Sequence, residues 1–193
     1  VKVSRKLVGL LLLLAFLGAA QTARGQGQIG TLHITGVSSE VSTGRYDREA
    51  GIFYADVSEI SGALITFVYD DVEIMGKIME WRTDDDYLIF SIDAKLTQED
   101  FELTGDLIEY FGEEKGLRAE GNVVVVTEDA TVYADRLDYD EETDEALFTG
   151  SVRVVFSDGF MIGEKLLMYL EKSELQFFGS FQGEFNEEDT NEE

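Results

Sequence analysis

Three segments of this chain carry one strand-like pattern at a fixed spacing. LRAEGNVVVV, ALFTGSVRVVF and LQFFGSFQGEF align on Gly121, Gly150 and Gly179, each 29 residues after the one before. The shared form is apolar-x-apolar-x-Gly-x-apolar-x-apolar, a period of two that gives an extended strand one apolar face. A unit of this length cannot bury such a face alone, so the copies must stack on one another. The apolar face runs through Val123 and Val125 in the first copy, Phe148, Val152, Val154 and Phe156 in the second, and Phe177 and Phe181 in the third. A second run lies between the glycine runs. ATVYADRLDY aligns with FMIGEKLLMY at the same step, which adds Val132, Leu137, Leu166 and Met168 to the face.

Weaker copies lie upstream. FELTGDL and VEIMGKI centre on Gly105 and Gly76, again 29 residues apart, whereas Gly105 and Gly121 are only 16 apart, which reads as one short unit. LHITG reads as a first copy, and GIFYADVSEI and DYLIFSIDAKL as degenerate second runs. A glycine recurring in mid-strand permits a sharp bend or a close approach of facing strands, so Gly76, Gly105, Gly121, Gly150 and Gly179 are expected to be structural. TED, SDG and DEETDE between the runs are turn-like, and the chain has no proline to interrupt a ladder. The expected fold is all-β: an open roll of stacked antiparallel strand pairs, or a solenoid whose turns share one interior.

The amino terminus has a separate character. VKVSRK is basic, LVGLLLLLAFLGAA is apolar and AQTARG follows, the order of a secretory signal over residues 1–25. The apolar run is shorter than the ~20 residues of a spanning helix, although an uncleaved anchor is the rival reading. A single β domain is expected over 26–185 and an acidic, disordered tail over 186–193. Losing Lys2, Arg5, Lys6 and Arg24 takes the net charge from −25 to −29. That balance excludes nucleic acid as a partner, because phosphate binding needs clustered Lys and Arg. Without cysteine there is no disulfide scaffold, and one histidine, His33, gives no metal or nucleophile-base site. The acidic runs match no calcium-loop pattern. No catalytic residues, cofactor or metal site are expected.

The stretch from Gly121 to Leu170 resembles the OstA-like family, the lipopolysaccharide-transport module of LptA and of the amino-terminal part of LptD. The residues that carry the resemblance are Gly121-Val123-Val125, Ala134-Asp135-Leu137-Tyr139, Phe148-Gly150-Val152-Val154 and Gly163-Glu164-Leu166. It is strongest over residues 117–183. The resemblance implies a twisted β-jellyroll with open ends that pair with like modules, in the periplasm, and an apolar interior that shields acyl chains. On that basis Val123, Val125, Val132, Leu137, Phe148, Val152, Val154, Phe156, Leu166, Met168, Phe177 and Phe181 are candidate lipid-lining residues. The implied partners are lipopolysaccharide or a related lipid, other modules of the same kind joined edge to edge, and further copies of the chain. A non-catalytic envelope scaffold and a membrane-anchored relative similar to LptC are the alternatives. One feature resists the implication: lipopolysaccharide is anionic, so a carrier this acidic needs bridging cations, a head group held outside, or a less charged cargo.

Overall fold

A computed structural model describes residues 31–186, apart from 70, 100, 113–115 and 170–173. The expected leader and the tail beyond Asn186 lie outside the described residues. Within them the chain is all-β, with thirteen strands in a single open antiparallel sheet. β1 (Thr31–Thr35), β2 (Gly44–Asp47), β3 (Ile52–Asp56), β4 (Leu64–Tyr69), β5 (Val72–Gly76) and β6 (Ile78–Arg82) are short. β7 (Tyr87–Gln98), β8 (Phe101–Phe111), β9 (Gly116–Val126), β10 (Ala130–Asp140), β11 (Glu145–Phe156), β12 (Gly159–Tyr169) and β13 (Glu174–Phe185) are long.

Each long strand is two half-strands joined at a bend. β7 shows this directly: Tyr87–Ser91 pair with β6, and Lys95–Thr97 pair with β5. β5 and β6 are therefore one strand bent at Lys77, and the ladders from β7 to β13 slip register at the same level. The bends divide the sheet into two leaves. One holds β1, β4, β5 and the halves continuing them; the other holds β2, β3, β6 and theirs. The leaves face each other. Phe67 on β4 meets Trp81 on β6 edge-on at 5.5 Å between centroids, and a single buried cluster draws on both leaves. The result is a flattened roll in which the strands from β7 to β13 form a meander, whereas β1 pairs with β4, β3 with β6 and β5 with β7 around the split amino-terminal rungs.

Two residue patterns make the bend, and they alternate from strand to strand. On β9 and β11 two successive residues take positive φ: Gly121 (74°) with Asn122 (50°), and Gly150 (76°) with Ser151 (49°). Gly179 (80°) continues the series on β13, and Ile92 (60°) with Asp93 (56°) begins it on β7. The alternate strands take the corner with one residue fewer, and a single acid stands opposite each left-handed pair: Asp106 on β8, Asp135 on β10 and Glu164 on β12. A methyl at Gly121 would run into the Asp106 carboxylate, and one at Gly150 into that of Asp135. Glycine is thus required twice over, by its conformation and by the carboxylate laid against it.

The five glycines fall into two classes, which revises the expected repeat. Gly76 and Gly105 lack positive φ and sit buried one residue before the corner, the place that Ala134 and Gly163 take further on. The positive-φ series runs through 92, 121, 150 and 179, and the pre-corner series through 76, 105, 134 and 163, each at 29 residues. No unit is short: Gly105 and Gly121 belong to adjacent strands of one hairpin. DYLIFSIDAKL is correspondingly the counterpart of the first run and not of the second, since β7 lies one step before β9.

The amino-terminal end departs from the period by insertion at the bend. Ile52 pairs with Arg82, where a strict step back from the Tyr87–Phe111 pair would place residue 58. The six extra residues form the loop between Asp56 and Leu64 that separates β3 from β4. Lys77 takes the acid's place there and donates to the Ala63 carbonyl, tying the loop to the bend.

Candidate functional site

Alternation sends one side chain in two into the space between the leaves. Ala146 and Phe148 enter from one half of β11, and Val152 and Val154 from the other, all at most 2% exposed. On β10 the inward set is Val132 and Ala134 before Asp135, then Leu137 and Tyr139 after it. The phase moves by one because β10 passes the corner with one residue fewer than β9 and β11. Val123, Val125, Leu166 and Met168 complete a packed interior. Between the leaves lies a cavity of ≈ 20 Å³ bordered by Val125, Val132, Leu137, Phe148, Val154 and Met168. That is room for about one water molecule and far too little for an acyl chain.

The roll opens at its carboxy-terminal end. β13 pairs with β12 and with no further described strand, so its inner face lacks the next rung that covers every earlier one. Leu175 and Phe177 are half-buried, Phe181 is 59% exposed and Phe185 is 44% exposed. Two ring pairs form here: Phe177 stacks on Phe181 at 5.5 Å, and Phe156 meets Phe185 at 6.0 Å. Gly163 gives these rings their floor, because a methyl there would strike Phe177. The inner positions 175, 177, 181, 183 and 185 carry no charge in a chain with 40 acidic residues. The expected lining residues thus divide into a closed set, Val123 to Met168 apart from Phe156, and an open set of Phe156, Phe177 and Phe181. Phe185 continues the apolar face of FQGEF and belongs with the open set, although it is not among the candidate lipid-lining residues.

The outer face of the leaf containing Glu109 is polar and cross-linked. Arg118 bonds Asp138 at 3.0 Å and Glu109 at 3.5 Å, and Arg136 reaches Asp138 and also Glu120 at 2.8 Å. Burial raises the Asp138 carboxyl pKa, but the hydrogen bonds from Arg136 and Arg118 outweigh it and hold the group below the ordinary value. Partly exposed pairs of this kind contribute little stability, but they do pin strand register. Among the described residues no three histidine or carboxylate groups come together as a metal site.

No protein-family model matches this chain, and no curated protein does. Among solved structures it is similar to LptH from Pseudomonas aeruginosa, described as the LptA homologous periplasmic component of the conserved lipopolysaccharide transport device. The superposition has a TM-score of 0.51 at 13% identity and covers 55% of this chain and 80% of that chain. The fold is LptA-like. At this identity the likeness is one of architecture, and the residues facing the interior are this chain's own.

The aromatic hydroxyls of this LptA-like roll supply a pH test. Burial, then the charges of Glu141 and Asp86, push the Tyr110 phenol up to about 12, and burial foremost pushes up that of Tyr139. A raised phenol stabilises the fold fully below its unfolded value near 10, and that contribution is lost as pH climbs through the folded value. Denaturant stability should therefore fall steeply between about pH 10 and 12, and Tyr110→Phe should flatten the fall. An unchanged slope in that variant would show that Tyr110 titrates freely.

Proposed function

We propose that this protein is a non-catalytic, periplasmic lipid-binding bridge that carries lipopolysaccharide or a related amphiphile between membranes. The observation that carries the reading is the uncovered, uncharged phenylalanine rung at the carboxy-terminal end of a roll whose middle rungs are packed shut. An acyl chain laid against Phe177, Phe181 and Phe185 leaves water at about 0.8 kcal/mol per methylene, so partial burial of several chains suffices for capture. The head group stays outside, where the acidic surface does not have to accommodate it. The closed residues, Val152 and Phe148 among them, reach lipid only if the leaves part, whereas the open rung meets it directly. Edge strands at both ends, β1 with β2 and β13, each paired on one side only among the described residues, suit edge-to-edge association with like modules or further copies.

The interior packing favours a second reading, an envelope scaffold with no cargo, because a 20 Å³ cavity leaves nothing to fill. Photo-crosslinking in the native envelope separates the two. A benzophenone side chain at Phe181 should give lipid adducts by mass spectrometry, and one at neighbouring Gln182, on the outer face, should not. Protein-only adducts at both positions would favour the scaffold.

A further inference from the structure

The outer face of the other leaf carries a strip that is mostly apolar. On β9 to β12, across the bends from the charged ladder, eight side chains point outward in two rows. One row is Val126, Thr131, Val155 and Phe160; the other is Val124, Tyr133, Arg153 and Ile162. Six of the eight are apolar or aromatic and none is acidic, in a chain with 40 Asp and Glu. Val126, Tyr133 and Ile162 are 39%, 44% and 39% exposed, and Arg153 lies over the Phe160 ring at 5.1 Å. The strip ends abruptly: Glu102 flanks it on β8 and Glu184 on β13.

Carboxylates bank both long sides of this strip. Asp106, Asp135 and Glu164 stand exposed along the bend. Glu128 and Asp158 stand exposed in the turns at the opposite side. We propose that this trough docks a cationic amphipathic helix of a partner protein, with the helix's apolar stripe on Tyr133, Val155 and Ile162 and its Lys and Arg side chains on the two acidic banks. Four strands span ~14 Å at the usual strand spacing, which matches about ten residues of helix at 1.5 Å each. Charge selects the occupant. A second copy of this chain would bring its own large negative charge, and an anionic membrane would be repelled, whereas a basic helix satisfies both banks while covering the apolar floor. An apolar patch broken only by Thr131 and by Arg153, whose guanidinium lies over the Phe160 ring, marks an interaction surface on a chain otherwise so acidic. This inference is independent of the lipid-bridge reading, because it uses the opposite side of the sheet.

The test uses the full chain and a fluorescent synthetic Leu/Lys amphipathic peptide of about 12 residues, long enough as a helix to cross the strip. Anisotropy should report binding that weakens with salt. Tyr133→Asp with Ile162→Asp should then weaken it at least tenfold, although those changes make the protein more negative. Simple attraction of a cation to an acidic protein predicts unchanged or tighter binding, and that result overturns the proposal. Tyr133→Ser with Ile162→Ser, which adds no charge, should weaken binding in the same direction. Phe178→Asp, exposed on the outer face of the other leaf, should leave it unchanged. Equal binding of a Leu/Glu peptide, or a dimer of the chain that the paired aspartates abolish, would also overturn it.

Discussion

Gly150→Ala is expected to destabilise the roll by about 3 kcal/mol, a large effect for a single methyl. A side chain at φ +76° costs ~1–2 kcal/mol, and the added carbon displaces the Asp135 carboxylate that lies against the glycine. For a domain of this size that corresponds to a fall of roughly 10 °C in melting temperature. Two controls make the claim sharp. Gly105→Ala should cost less than ~1 kcal/mol, since Gly105 lacks positive φ and its nearest neighbours stand at 3.3 Å. Ile92→Gly should stabilise, by about 1 kcal/mol. Ile92 occupies the glycine place of the first unit with φ +60° and is 46% exposed, so its strain is relieved at little loss of packing. Thermal melts of the three variants decide this. Equal losses at Gly150 and Gly105, or destabilisation by Ile92→Gly, would mean that the bend does not depend on the left-handed residue.

These variants also mark how far the sequence was legible. Alternation and the glycine spacing identify the strands from Gly116 to Phe185, because every residue that faces inward there is apolar or glycine. Reading the glycines as one series was the error, and its cause is physical. Adjacent strands turn the same corner by different means, a left-handed pair on one and a shorter step past a single residue on the next, and glycine can occur in both. An alignment on glycine alone therefore merges Gly105 with Gly121. Ile92 hides the true period by placing a β-branched residue where the backbone favours glycine. The one-residue phase change across Asp135 is similarly silent, since Val132 and Leu137 are apolar in either phase. Composition selected the apolar residues of the candidate site but could not sort the closed from the open, since Val154 and Phe181 differ only in whether another strand follows. Topology supplies that distinction.

The same distinction predicts that lipid capture and stability respond to different residues. Phe177→Asp combined with Phe181→Asp should reduce acyl-lipid capture at least tenfold while changing the fold's stability by less than ~2 kcal/mol. Phe181 is mostly exposed and Phe177 half-buried, so the folded state loses little packing. A lipid chain arriving there would have to bury two carboxylates, a cost well above the gain from the few methylenes it seats. Phe148→Ala, inside the closed part at 2% exposure, should behave in the opposite sense. It should cost ~3–5 kcal/mol of stability while leaving capture per folded molecule nearly intact. Binding of a fluorescent acyl lipid, measured beside urea unfolding for each variant, sets the two quantities on separate axes. If the paired aspartates leave capture unchanged while Phe148→Ala abolishes it in molecules that remain folded, cargo enters the closed interior, and the exposed rung is an association edge alone.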